Sequence, residues 1–164
     1  MRIEPNSLLC AIVVGVGATL IVDLWTLILK RAFNIPSLSY CLVGRWLCHM
    51  PGTIRHVSIA AAAPRRAECL VGWIAHYVTG IVFALAFVAL APAGWLARPT
   101  FSIALAFGIG TVLFPFLVMQ PALGLGIAAS KTADPARARL KSLATHAVFG
   151  AGLYLCAVGL NRVL

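Results

Sequence analysis

Four apolar runs decide what this chain can become. They cover residues 8–29, 70–90, 101–119 and 143–160. A helix rises about 1.5 Å per residue, so about 20 residues cross a hydrocarbon layer about 30 Å thick. Inside that layer no water can pair a backbone N–H or C=O, so each run is expected to be an α-helix, which pairs them internally. Membrane strands would be shorter and would alternate polar with apolar residues, and no segment here does so. Composition agrees: of 164 residues, 62% are hydrophobic and 10% charged, where soluble domains carry roughly a quarter charged. A water-soluble globule and an intrinsically disordered chain are both excluded. The expected fold is all-α, one integral membrane domain built as a four-helix bundle, with the spans paired as two repeated hairpins.

The first run does not read as a cleaved signal peptide. It is too long, has no small-x-small cleavage site, and is closed by Lys30 and Arg31. Thirteen Lys and Arg against four Asp and Glu give a formal net charge of +9. These cations are unevenly placed. Arg2, Arg98 and Arg162 fall on one side of the expected spans. Lys30, Arg31, Arg45, Arg55, Arg65, Arg66, Lys131, Arg137, Arg139 and Lys141 fall on the other. Short cytoplasmic loops carry the Lys/Arg excess, so both termini are expected outside and the loops 31–68 and 120–141 in the cytoplasm. The basic balance then reads as topology and contact with anionic lipid. Nucleic acid is not an expected partner, because no soluble basic domain exists to bind it. Trp25 and Trp73 fall near the expected inner interface and Trp95 near the outer one. The first loop is expected to hold a short interfacial helix over 42–49, with Trp46 toward lipid and Pro51-Gly52 ending it.

Small residues recur at every fourth position. The stripes are Ala11, Gly15, Thr19 and Asp23; Gly72, His76, Gly80 and Ala84; Ala104 and Gly108; and Ser142, His146 and Gly150. In lipid, close packing and not hydrophobicity draws helices together, and such stripes permit it. His76 to Gly80 and His146 to Gly150 both fit H-x-V-x-G, which suggests a duplicated hairpin about an axis normal to the membrane.

Asp23, His76 and His146 lie on these stripes and at similar depths, with Tyr77 and Gln120 near the same level. An ionisable group at the bilayer centre costs about 2.5–3.5 kcal/mol on insertion scales. One shared polar cluster of Asp23, His76, Tyr77, Gln120 and His146 is therefore expected. Structural hydrogen bonding across helices is the bland alternative. The functional alternatives are a proton or ion relay, metal ligation by His76 and His146 with a carboxylate, and axial haem ligation by the same histidines. No cofactor is assigned beyond those alternatives.

The stretch from Gly124 to Thr132 is glycine-rich and ends in Ser-Lys-Thr. A phosphate loop needs Gly directly before Lys and a strand before the loop, and Ser130 and a membrane helix stand there. Nucleotide hydrolysis is excluded on that ground. A milder anion or lipid head-group site over Gly124, Gly126, Ser130, Lys131 and Thr132 is retained, beside a plain turn after Gln120-Pro121. Arg45 is a second candidate for lipid phosphate, against ordinary interfacial anchoring. Cys41, Cys48, His49 and His56 share the first loop without a C-x-x-C pair, so no zinc site is expected, and cytoplasmic thiols would be reduced. Cys10 and Cys156 lie near the outer ends of their spans as buried thiols. No Ser–His–Asp set, paired carboxylates or H-E-x-x-H occurs, and the balance leans away from an enzyme.

Several of these motifs belong together. Gly44-Arg45-Trp46, Gly72-Trp73, His76-Tyr77-x-x-Gly80, Pro99-Thr100, Gln120-Pro121, the Gly124 to Lys131 stretch and Ser142-Leu143-x-x-His146 span nearly the whole chain. In this combination the chain resembles a bacterial family of small inner-membrane proteins catalogued only as a domain of unknown function. The resemblance implies a bacterial inner-membrane protein of about four spans and implies no activity, substrate or cofactor. Cys41 and Cys48 lie outside that pattern. The functional expectation is a small transport or proton/ion-relay component, for which a homodimer would be natural. The alternatives are a non-catalytic membrane subunit or scaffold, and a metal or haem redox subunit.

Overall fold

The first helix, α1, runs Pro5–Phe33 and shows how this chain stops a span. Lys30 and Arg31 lie in its last turn, where cations complement the negative end of the helix dipole. Asn34 then turns left-handed at φ 53, and the Ile35 N–H reaches back to the Leu29 carbonyl at 3.0 Å. That six-residue closure satisfies a terminal carbonyl, and Pro36 follows to bar further helix. The structure, a computed structural model, describes residues 5–162. Arg2, counted with the outer cations, lies outside them.

The remaining elements are α2 (Tyr40–His49), α3 (Glu68–Leu90), α4 (Phe101–Gly110), a π-turn (Pro115–Met119), α5 (Gln120–Ala122) and α6 (Pro135–Leu160). Short 3-10 turns occur at Ile59–Ala61 and Ile127–Ala129, and no strand occurs among the described residues. Among the described residues, four stretches are long and apolar enough to cross a membrane: Ser7–Phe33, Glu68–Leu90, Phe101–Ala122 and Pro135–Leu160. The last begins well before the apolar run, because Asp134 caps it. Its Oδ1 accepts the Arg137 N–H at 3.0 Å and Pro135 takes the first helical position.

The third stretch is interrupted. Pro115 has no N–H to offer the Thr111 carbonyl one turn back. The backbone widens instead, and the Gln120 N–H pairs with the Pro115 carbonyl five residues earlier, the mark of a π-turn. Such interruptions inside a hydrophobic span need a cause, and here it is proline.

The described chain divides into two compact units. The first holds α1, α3 from Tyr77, α4 and α6 from Ala144. Its helices meet where the stripes placed small residues. Ala11, Val14, Ala18, Thr19, Ala84, Ala104 and Leu153 are nearly inaccessible. A methyl added at Gly15 would lie 2.9 Å from the Ala84 Cβ and 3.0 Å from the Gly80 carbonyl, so α1 and α3 touch backbone to backbone. Gly152 lies as close to Ala18, joining α6 to α1. Phe87 fills the middle, edge-on to Trp95 at 4.5 Å and tilted against Phe107 at 4.9 Å. Trp95 is buried in this core with its Nε1 donating to the Thr100 hydroxyl at 3.1 Å. Cys10 and Cys156 are free thiols, and the Cys156 sulfur lies 2.6 Å from the place a Gly17 methyl would take.

The second unit holds Ser37–His76 and Val112–Leu143. Here α2 lies against the start of α3. Gly44 faces the Glu68 carbonyl and Gly72 faces the Tyr40 carbonyl so closely that neither has space for a methyl. Trp46 is 6% exposed and turned inward, packed with Ile59, Ala122 and Leu123. Its Nε1 donates to the Ile54 carbonyl at 2.8 Å. This corrects the expectation that Trp46 faces lipid. The ring has a hydrophobic cluster and a carbonyl partner inside the protein, which leaves it no reason to seek the interface. The loop after α2 is pinned to the end of the third stretch, with the His56 and Ile59 N–H groups donating to the Ala122 and Leu123 carbonyls at 2.9 and 3.1 Å.

Candidate functional site

Two polar pairs sit within the first unit, each joining two spans. The first rests on glycine. A methyl added at Gly150 would lie 2.6 Å from the Ala104 carbonyl and 2.9 Å from the Leu105 Cα, and one at Gly108 would lie 2.7 Å from the His146 carbonyl. So α4 and α6 cross antiparallel in direct backbone contact. A turn beyond Gly108 stands Thr111, and a turn before Gly150 stands His146. The crossing brings the two side chains together, with Thr111 Oγ1 at 2.7 Å from His146 Nδ1. The Thr111 hydroxyl also donates to the Gly108 carbonyl at 2.5 Å. Threonine in a helix commonly bonds back to a carbonyl one turn earlier, which fixes its rotamer. Thr111 is 9% exposed.

The second pair joins α1 to α3. The Tyr77 hydroxyl donates to Asp23 Oδ2 at 2.8 Å. The approach is again set by small residues, since Gly80, one turn on from Tyr77, has no space for a methyl beside the Thr19 hydroxyl. A hydrogen bond to a carboxylate offsets part of the cost of holding it away from water. Chemically, a phenol on a carboxylate and a hydroxyl on an imidazole are both groups that can hold and hand on a proton.

Gln120 and His76 belong to the second unit. His76 stacks on Tyr40, with ring centroids 4.1 Å apart, and lies edge-on to Trp73 at 5.9 Å. Gln120 is 7% exposed, its Nε2 donating to the Ser142 hydroxyl at 3.4 Å, while its Oε1 is buried without a partner among the described residues. Of the five residues expected to cluster, Asp23 pairs with Tyr77 and His146 pairs with Thr111 in one unit. His76 and Gln120, with their own neighbours, belong to the other. Thr111 was missed in the sequence because a lone threonine in an apolar run carries no signal. Its position one turn beyond Gly108 is the clue that an antiparallel α4–α6 crossing would have supplied.

The anion-site candidates also lie in the second unit. From Gly124 to Ala129 the backbone is left-handed at four positions, with φ 90 at Gly124, 76 at Gly126, 47 at Ala128 and 59 at Ala129. For alanine this conformation costs about 1–2 kcal/mol. It is held from several sides. The Lys131 N–H donates to the Leu125 carbonyl at 2.9 Å, the Thr132 hydroxyl to the Ala129 carbonyl at 2.8 Å, and Arg139 Nε to the Ala128 carbonyl at 2.8 Å. Ser130 and Lys131 are exposed. Arg45 is occupied from within. Its Nε and Nη2 grip both Glu68 oxygens at 2.9 and 2.7 Å, and Nη1 donates to the Ala60 and Ala62 carbonyls at 3.2 and 3.1 Å. The Glu68 carboxylate raises the already high Arg45 pKa further.

Cys41 is bonded to Cys69 in a disulfide that joins α2 to the start of α3. The expectation of reduced thiols in this loop concerns Cys41, and the bridge departs from it. Sequence reasoning missed the pair because the Gly44–Gly72 contact, which brings Cys41 and Cys69 together, is not visible from spacing. Among the described residues no three His, Cys, Asp or Glu side chains gather as a metal-binding group.

Comparison with known proteins adds one finding. No curated protein and no solved structure matches this chain. A family model does match, over residues 12–159, and its description is "Protein of unknown function (DUF2938)". With nearly the whole chain covered, the protein belongs to that family.

Proposed function

We propose that this protein is a small transport or proton/ion-relay component of a bacterial inner membrane. The observation that carries the reading is the treatment of its intramembrane ionisable groups. Asp23 and His146, each within a span, are both bonded to hydroxyls that a different span supplies, at 2.8 and 2.7 Å. Such residues inside a membrane commonly mark ion or proton pathways. The interruption at Pro115 and the left-handed backbone after Gly124 support it, since broken helices serve binding sites in transporters. In this reading Gly124, Gly126, Ser130, Lys131 and Thr132 meet an anion or lipid head group on the cytoplasmic side, with His76 and Gln120 as further polar groups at the inner mouth.

For orientation we place both termini outside, on the asymmetry of Lys and Arg. The Cys41–Cys69 bridge pulls the other way, because disulfides persist in oxidising compartments. Charge directs insertion and takes precedence, so the bridge is read as one that a cytoplasmic reductant opens. The second reading is a non-catalytic membrane subunit, favoured by the same two hydrogen bonds, which would equally lock the spans together. Proton flux in vesicles containing the purified protein, under an imposed pH gradient, decides between them. Flux above that of empty vesicles supports the relay, and its absence leaves the subunit.

A further inference from the structure

The polar contact between Thr111 and His146 contains one proton too few for the usual description. Thr111 Oγ1 has two short contacts, 2.5 Å to the Gly108 carbonyl and 2.7 Å to His146 Nδ1, and one hydrogen to place between them. The carbonyl is an acceptor with nothing to donate. At such a separation two oxygens face each other only with a proton between them. The hydroxyl hydrogen therefore belongs to the Gly108 carbonyl. The remaining contact then needs its own proton, and the ring nitrogen must bring it.

We infer that His146 is held as the Nδ1–H tautomer, donating to Thr111, so that Nε2 carries the free lone pair and is the atom that accepts a proton or ligates a cation. Thr111 is a positioning residue, and the Gly108–Gly150 contact sets its distance from the ring. In a neutral imidazole the bond made by one nitrogen decides the role of the other. The tautomer rests on geometry alone. The use of Nε2 as a proton acceptor rests on the relay reading above.

The test is nitrogen NMR of the full-length protein with 15N-labelled histidine in a membrane mimetic, at a pH where the rings are neutral. The His146 signals are identified by their loss in His146→Gln. The expected spectrum shows a protonated Nδ1 and an unprotonated Nε2. Thr111→Ser, which keeps the hydroxyl, preserves that pattern, and Thr111→Val shifts His146 toward the Nε2–H form. A wild-type spectrum with His146 as Nε2–H overturns the inference, and it does so whether or not the Thr111 variants fold. A Thr111→Val spectrum unchanged from wild type overturns the role of Thr111. Flux is read separately: transport that His146→Gln leaves intact removes the relay, while the tautomer is judged on the spectrum.

Discussion

The hydroxyl of Tyr77 on α3 donates to the carboxylate of Asp23 on α1 at 2.8 Å, tying two spans through an ionisable side chain. Tyr77→Phe removes the donor and leaves the ring in place. Interhelical hydrogen bonds inside membranes average about 0.6 kcal/mol, with the strongest near 1.7. We expect a loss of about 1 kcal/mol in stability, seen as a lower thermal midpoint in detergent. An unchanged midpoint would remove this bond from the account.

Close helix contact predicts a sharp contrast between two glycines two residues apart. A methyl at Gly108 meets the backbone of Gly150 and His146, while one at Gly110 meets nothing within 4 Å. Overpacking costs about 1–3 kcal/mol where the neighbour cannot yield. Gly108→Ala should destabilise by at least that much and part Thr111 from His146. Gly110→Ala should be neutral, or stabilising by up to about 1 kcal/mol from better helix propensity. Equal effects at both positions would contradict the crossing of α4 and α6.

Arg45 is predicted to organise the loop by geometry and not by charge alone. One guanidinium grips Glu68 and also the Ala60 and Ala62 carbonyls. Lysine keeps the charge and cannot fill this fork. Hydrogen exchange at the Ala61 and Ala62 amides, which close the turn after Ser58, should therefore quicken in Arg45→Lys almost as much as in Arg45→Ala. Exchange at the wild-type rate in Arg45→Lys would assign the effect to charge.

The small-residue stripes and the helical class were legible because lipid leaves a span few ways to pack. Gly15, Gly80, Gly108 and Gly150 all became contact points. What the sequence hid depended on neighbours. Trp46 read as an interfacial anchor because its carbonyl partner, Ile54, lies in a loop without periodicity. Pro115 sat inside an unbroken apolar run, and hydropathy does not register a missing N–H. Thr111 and the Cys41–Cys69 pair needed the crossings of α4 with α6 and α2 with α3, which no spacing rule supplies.

The disulfide gives a prediction about compartment. Protein purified in air should yield a Cys41–Cys69 cross-linked peptide, with Cys10, Cys48 and Cys156 as free thiols. Alkylation in intact cells before lysis should instead find Cys41 and Cys69 reduced, as the proposed cytoplasmic placement of their loop requires. A bridge already complete in cells would turn the proposed orientation over.

The most direct measurement pairs flux with folding in Asp23→Asn and His146→Gln. Both substitutions keep hydrogen-bonding groups of similar size and remove the ionisable group. We expect melting midpoints close to wild type and proton flux reduced to that of empty vesicles. Wild-type flux in both variants, or loss of folding in both with no flux in the parent protein, would contradict it.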